Sequence, residues 1–108
     1  MQLLQQVEMD RLRRREELRS EVRARLRDAL NKLAPGEQVV VFGSITRRQA
    51  FHDRSDVDIA FVDEPRAFSP YQMQARLEEY MGRPVDLVIL SECRFKDKIL
   101  REGERWTS

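Results

Sequence analysis

The sequence predicts one small α/β domain, and three observations carry that expectation. A helical periodicity fills the first third of the chain. Three short apolar runs, Gln38 to Phe42, Val57 to Val62 and Val85 to Leu90, have the length and β-branched content of strands. Helix signals stand between the last two runs and after the third. The resulting order is helix, strand, strand, helix, strand, helix. A chain of 108 residues suits one compact domain, read here as an N-terminal helix over 1–36 packed on a core over 37–108.

The first helix rests on Leu18, Val22, Leu26, Ala29, Leu30 and Leu33, spaced by threes and fours onto one face. Pro35-Gly36 stops it. Before Leu18, Arg14 and Arg15 fall where the apolar face should continue, so that half is expected to project beyond the core or fray. The first strand ends at Gly43. Residues 44–55 are polar and read as a short helical turn and a loop. Asp63-Glu64-Pro65 breaks the second strand. Ser69 as N-cap, Pro70 at the first helical position and Gln72 closing a capping box start the next helix. Met73, Leu77, Tyr80 and Met81 form its apolar face, and Gly82 ends it. After the third strand, Ser91 is the expected cap of a last helix carrying Phe95, Ile99 and Leu100.

Composition narrows the function classes. Charged residues make up 36% of the chain, yet the net charge is only +1, which argues against a dedicated nucleic-acid binder. One cysteine, Cys93, excludes an internal disulfide framework. No apolar stretch approaches the roughly 18–20 residues of a membrane span, and the start lacks a signal-peptide core. The expected location is cytoplasmic.

Three carboxylates stand out against that background. Asp56 and Asp58 open the second apolar run, and Asp86 sits inside the third. Residues two apart on a strand share a face, so Asp56 and Asp58 project together. Asp86 joins them if its strand lies alongside. Such a cluster repels itself and normally requires a cation. An all-oxygen set suits Mg²⁺ or Mn²⁺ better than zinc, and the only His and Cys are 41 residues apart. Asp56 and Asp58 could bridge two such ions about 4 Å apart, with Asp86 on one of them. Gly43 admits close approach of a phosphate to the backbone, and Ser44 offers a hydroxyl and an N–H at a helix start. An isolated Asp-x-Asp usually marks a solvated turn. Here the pair begins an apolar strand and a third carboxylate follows in order.

Gly43-Ser44, the eleven-residue gap, Asp56-Val57-Asp58 and Val85-Asp86-Leu87-Val88 together resemble the signature of the DNA polymerase beta-like nucleotidyltransferases, and of their minimal branch in particular. The resemblance spans residues 38 to about 103. It implies a small mixed β-sheet flanked by helices, two-metal chemistry with Mg²⁺ or Mn²⁺, and transfer of a nucleoside monophosphate from a triphosphate. By the motif, Asp56, Asp58 and Asp86 are catalytic and hold the metals, while Gly43 and Ser44 hold the triphosphate. Arg47 is a further candidate for phosphate, because guanidinium groups bind phosphate oxygens in pairs. The segment Ile45-Thr46-Arg47-Arg48-Gln49 departs from the family in lacking a glycine.

Other residues weigh less. Arg48, Arg54 and His52 read as solvated loop positions, Ser55 as support for Asp56, and Cys93 as structural. Trp106 either packs on the core or faces a partner. The basic run Arg11 to Arg15 precedes Glu16 and Glu17 and reads as a salt-bridged helix surface rather than an RNA site.

The length leaves no second domain to hold an acceptor, so the acceptor is expected on another chain. The resemblance implies a HEPN-domain toxin as that partner, neutralised when AMP from ATP is attached to a tyrosine hydroxyl. Nucleic acid and membrane are not expected as direct partners. Two alternatives stay open: an antitoxin or scaffold acting by contact alone, and a nucleotidyltransferase for a small molecule or RNA end. The first helix could also support a homo-oligomer.

Overall fold

The computed structural model describes residues 2–108. The first helix, α1 (Leu3–Leu33), is continuous over 31 residues. Val22, Leu26, Ala29 and Leu30 are buried on its inner face, and Leu18 and Leu33 pack at the margins. The helix N-terminal of Leu18 runs past the core, and the molecule extends 53 Å along one axis but only 28 and 20 Å along the others. Arg14 and Arg15 had signalled that overhang. Ala34 closes the helix by donating its N–H to Leu30 O, and Gly36 turns the chain with a left-handed φ of 76°.

Four strands form one sheet: β1 (Gln38–Phe42), β2 (Val57–Phe61), β3 (Val85–Ile89) and β4 (Glu104–Thr107), in the order β3-β2-β1-β4. β1 runs antiparallel to β2 and β4, and β2 runs parallel to β3. One face carries Val39, Val41, Val57, Ile59 and Phe61 against α1 and α2 (Pro70–Met81). The other carries Val40 and Ala60 against Ile99 of α3 (Lys96–Glu102).

Local chemistry fixes α2 as expected. Ser69 Oγ accepts from Gln72 N, Gln72 Oε1 accepts from Ser69 N, and Gly82 ends the helix at φ 69°. Met73, Leu77 and Met81 are buried, while Tyr80 packs only partly. α2 also guards the sheet edge. Glu78 Oε2 accepts from Val85 N at 3.0 Å and Gln74 Oε1 accepts from Leu87 N at 3.3 Å. These are the outward N–H groups of edge strand β3, which would otherwise invite pairing with another chain.

Two features differ from expectation. Ser91 lies in a 3₁₀ turn (Leu90–Glu92), and α3 begins later, after Phe95. The chain then adds β4, whose Trp106 is buried, settling the open question of that residue. Arg27 and Arg23 stack on the Trp106 ring at 4.2 and 5.4 Å, and Arg23 holds Glu104 through two hydrogen bonds of 3.0 and 2.8 Å. Among the described residues no helix is long and apolar enough to cross a membrane.

Candidate active site

The site begins with strand register. On β2, Val57, Ile59 and Phe61 point into the α1–α2 core, so Asp58 must point to the α3 face. Parallel pairing aligns Asp58 with Asp86, and antiparallel pairing aligns Asp58 with Phe42. Neighbouring strands are about 4.8 Å apart, so the two carboxylates lie side by side on one face. The Glu78 and Gln74 contacts hold β3 in that register. Asp56 precedes β2 by one residue and is exposed.

Burial and repulsion by Asp86 and Asp56 push the Asp58 carboxyl up to about 6, well above the usual carboxylate range. A site that raises one carboxylate in this way is poised to take a cation or a proton.

Gly43 makes the crowding possible. It begins the 3₁₀ turn (Gly43–Thr46) at φ 79°, and a methyl group there would overlap Asp58 Oδ2 and stand 3.0 Å from Asp58 Cγ. Sequence reasoning reserved that space for a phosphate; the structure shows Asp58 using it first. Thr46 Oγ1 donates to Gly43 O at 2.7 Å and closes the turn.

The loop that follows is anchored from both sides. Ile45 and Phe51 are fully buried, although the segment reads as polar. From α1, Arg19 Nε donates to Ile45 O at 2.6 Å, Glu16 Oε2 accepts from Gln49 N at 3.2 Å, and Arg19 pairs with Glu16. Gln49 takes a left-handed φ of 65°. The backbone thus keeps, with glutamine, a conformation that glycine would adopt freely.

Gly43, Arg47, Asp58 and Asp86 line a cleft of about 710 Å³ on the α3 face. Phe42, Val88 and Ile99 form its apolar wall. This size and mixture suit a nucleotide-sized ligand. Ser44 and Asp56 lie outside the lining. Lys98, Phe95 and Cys93 belong to it and were missed or set aside as candidates. Lys98 carried one weak signal, its place beside Ile99 on the expected last helix. His52 is exposed, its Nδ1 accepting from Arg54 N, and Ser55 Oγ accepts from His52 N, so both tie a turn.

The donor set fits hard divalent cations. Among the described residues, no three of His, Cys, Asp and Glu converge as a ready-made cage. Mg²⁺ does not require one, since it is usually held by one or two carboxylates together with substrate phosphates and water. Asp58 and Asp86 supply such a pair.

A family model described as "Polymerase beta, Nucleotidyltransferase" matches residues 24–107. The chain belongs to the polymerase beta nucleotidyltransferase family. No curated protein matches it in sequence. Two solved structures of this nucleotidyltransferase fold are similar. One, described as a toxin-antitoxin with AMP-PNP, is 22% identical with a TM-score of 0.60, over 79% of this chain and 73% of its own. The other, described as a mutant of the toxin-antitoxin MntA-HpeT, is 21% identical with a TM-score of 0.55, over 75% and 69%. At these identities the likeness concerns the fold, which in this chain is a four-stranded mixed sheet with three α-helices, the first of them long.

Proposed function

We propose that this polymerase beta-type nucleotidyltransferase moves AMP from ATP to a tyrosine hydroxyl of a HEPN-type toxin, and acts as its antitoxin. The observation that carries the proposal is the Asp58–Asp86 alignment beside Gly43, in a cleft that also holds Arg47 and Lys98. The two similar structures support the setting, one by its AMP-PNP and both by their description as toxin-antitoxin.

Asp56, Asp58 and Asp86 would hold Mg²⁺ or Mn²⁺, which when bound offsets phosphate charge and favours the ionised hydroxyl. The chain's own side chains do the rest. Arg47 and Lys98, which line the cleft, would draw the triphosphate into it, and Phe42, Val88 and Ile99 would exclude water from one side. Ser44 and the turn N–H groups lie next to Gly43 for the phosphate oxygens. The acceptor oxygen attacks the α-phosphorus, the bond to the β-bridging oxygen breaks, and pyrophosphate leaves. Asp86 is the group closest in role to a base for the hydroxyl proton.

The test uses ATP labelled in the α-phosphate, Mg²⁺ and the protein encoded beside this chain. Label should appear on the partner, and label in the γ-phosphate should not. Transfer of neither, with a stable complex, would overturn the reading. One observation favours a second reading, a contact-only antitoxin: among the described residues Asp58 and Asp86 pair without a third metal-ligating side chain converging on them. That reading predicts protection from the toxin by Asp58→Asn.

A further inference from the structure

The seam of α1 that packs on the core does not stop at Leu18. It continues through Arg14, Arg11, Val7 and Leu4, at alternating spacings of four and three, along the projecting half of the helix. Arg14 and Arg11 make the middle of this line basic, and Val7 and Leu4 make its tip apolar. Leu4 is 80% exposed, and Leu3, Val7 and Met9 are also exposed.

Beside the seam, the 52–54 turn forms a second wall. Arg11, Arg14, Arg15, His52, Asp53 and Arg54 line a cleft of about 430 Å³ between helix and turn. Four guanidinium groups there face one carboxylate. Arg11 pairs with Glu8, and Arg15 reaches Gln49 O at 3.4 Å. Among the described residues, Arg14 and Arg54 have no ion-pair partner. The expected salt-bridged surface is present in part: Arg11 meets Glu8 here, and on other flanks Arg13 meets Asp10 and Arg19 meets Glu16.

We infer that the projecting half of α1 and the 52–54 turn form a docking surface for a helix of a partner protein, apolar where it meets Leu4 and Val7 and acidic where it meets Arg11, Arg14 and Arg54. Charge complementarity selects an acidic occupant. The apolar tip selects a protein, since Leu and Val offer nothing to a phosphodiester chain, and no Phe, Tyr or Trp lines the cleft for bases to stack on. The surface touches the candidate site through the chain itself: Arg15, Glu16 and Arg19 hold the loop that begins at Gly43. A partner seated there lies on the helix that braces the nucleotide loop. The inference deepens the toxin-partner proposal and rests on it for the partner's identity alone.

The test uses the full chain and a fluorescein-labelled amphipathic helical peptide, Leu along one seam and Glu beside it, with a Lys-for-Glu counterpart. The acidic peptide should bind and the basic one should not. Arg14→Glu with Arg54→Glu should weaken binding about tenfold or more, with a steep salt dependence. Leu4→Asp with Val7→Asp should weaken it similarly. Thermal unfolding and AMP-PNP affinity should stay unchanged in all of them. The same variants should lose the protein encoded beside this chain. Equal binding of both peptides, no binding, or indifference to both variant pairs would overturn the inference. So would a single-stranded RNA that binds through Arg14 and Arg54 in place of the peptide, or a wild-type dimer that Leu4→Asp dissociates. A co-encoded protein that fails to bind while the acidic peptide binds would sink the toxin-partner reading and leave the surface standing.

Discussion

Replacing Gly43 with alanine tests the geometry of the site most sharply, because two separate penalties can be worked out. The first is conformational: φ is 79°, and an L-residue in the left-handed region costs about 1–2 kcal/mol. The second is steric: the new methyl group would overlap Asp58 Oδ2, so the carboxylate must swing out of its place opposite Asp86. Together they should destabilise the protein by about 2–4 kcal/mol, by comparison with the cost of backbone strain and overpacking. Urea unfolding measures this directly. A cycle with Asp58→Ala separates the two parts. Removing the carboxylate should return the steric portion, so the double variant should be more stable than the sum of the single losses by at least about 1 kcal/mol. It should also remain inactive in AMP transfer. Strict additivity, or a Gly43→Ala protein as stable as wild type, would refute the claim that Gly43 is there to admit Asp58.

Further predictions follow from neighbouring features. Asp58 titrates near 6, above its value in the unfolded chain, so the folded form holds an extra proton between about pH 4 and 6. Its contribution to stability is therefore present at low pH and lost as pH rises through 6. Asp58→Asn should abolish that part of the pH slope in urea titrations, and Mg²⁺ affinity measured by calorimetry should fall below pH 6 as protons compete. Trp106→Ala removes a buried ring held by Arg27 and Arg23 and should cost about 3–5 kcal/mol, visible as a fall in melting temperature of more than about 10 °C. At Gln49, with φ 65°, glycine should be tolerated without loss, whereas Gln49→Val should lower stability by about 1 kcal/mol or more in the same assay.

Elements built by local chemistry were legible from the residues. The Ser69–Gln72 box, Pro70 and Gly82 act within one turn of helix, and α2 formed within those limits. The shared face of Asp58 and Asp86 followed from strand alternation once parallel pairing joined them. The fourth strand was not legible. Glu104-Arg105-Trp106-Thr107 is short and carries two charges, and it becomes a strand by pairing with β1, more than sixty residues away in sequence. Ile45 and Phe51 were hidden for a related reason: each is apolar among polar neighbours, and only the packed structure shows them anchoring the loop. Lys98 and Phe95 reach the cleft because α3 crosses that face of the sheet, which no local pattern encodes.

The measurement that tests the central claim most directly is intact-mass spectrometry of the protein encoded beside this chain, after incubation with this protein, ATP and Mg²⁺. Wild type should add one or more AMP units to the partner, and Asp58→Asn and Asp86→Asn should add none while unfolding cooperatively. An unmodified partner in a stable complex, or equal modification by the carboxylate variants, would contradict the assignment of Asp58 and Asp86 to nucleotidyl transfer.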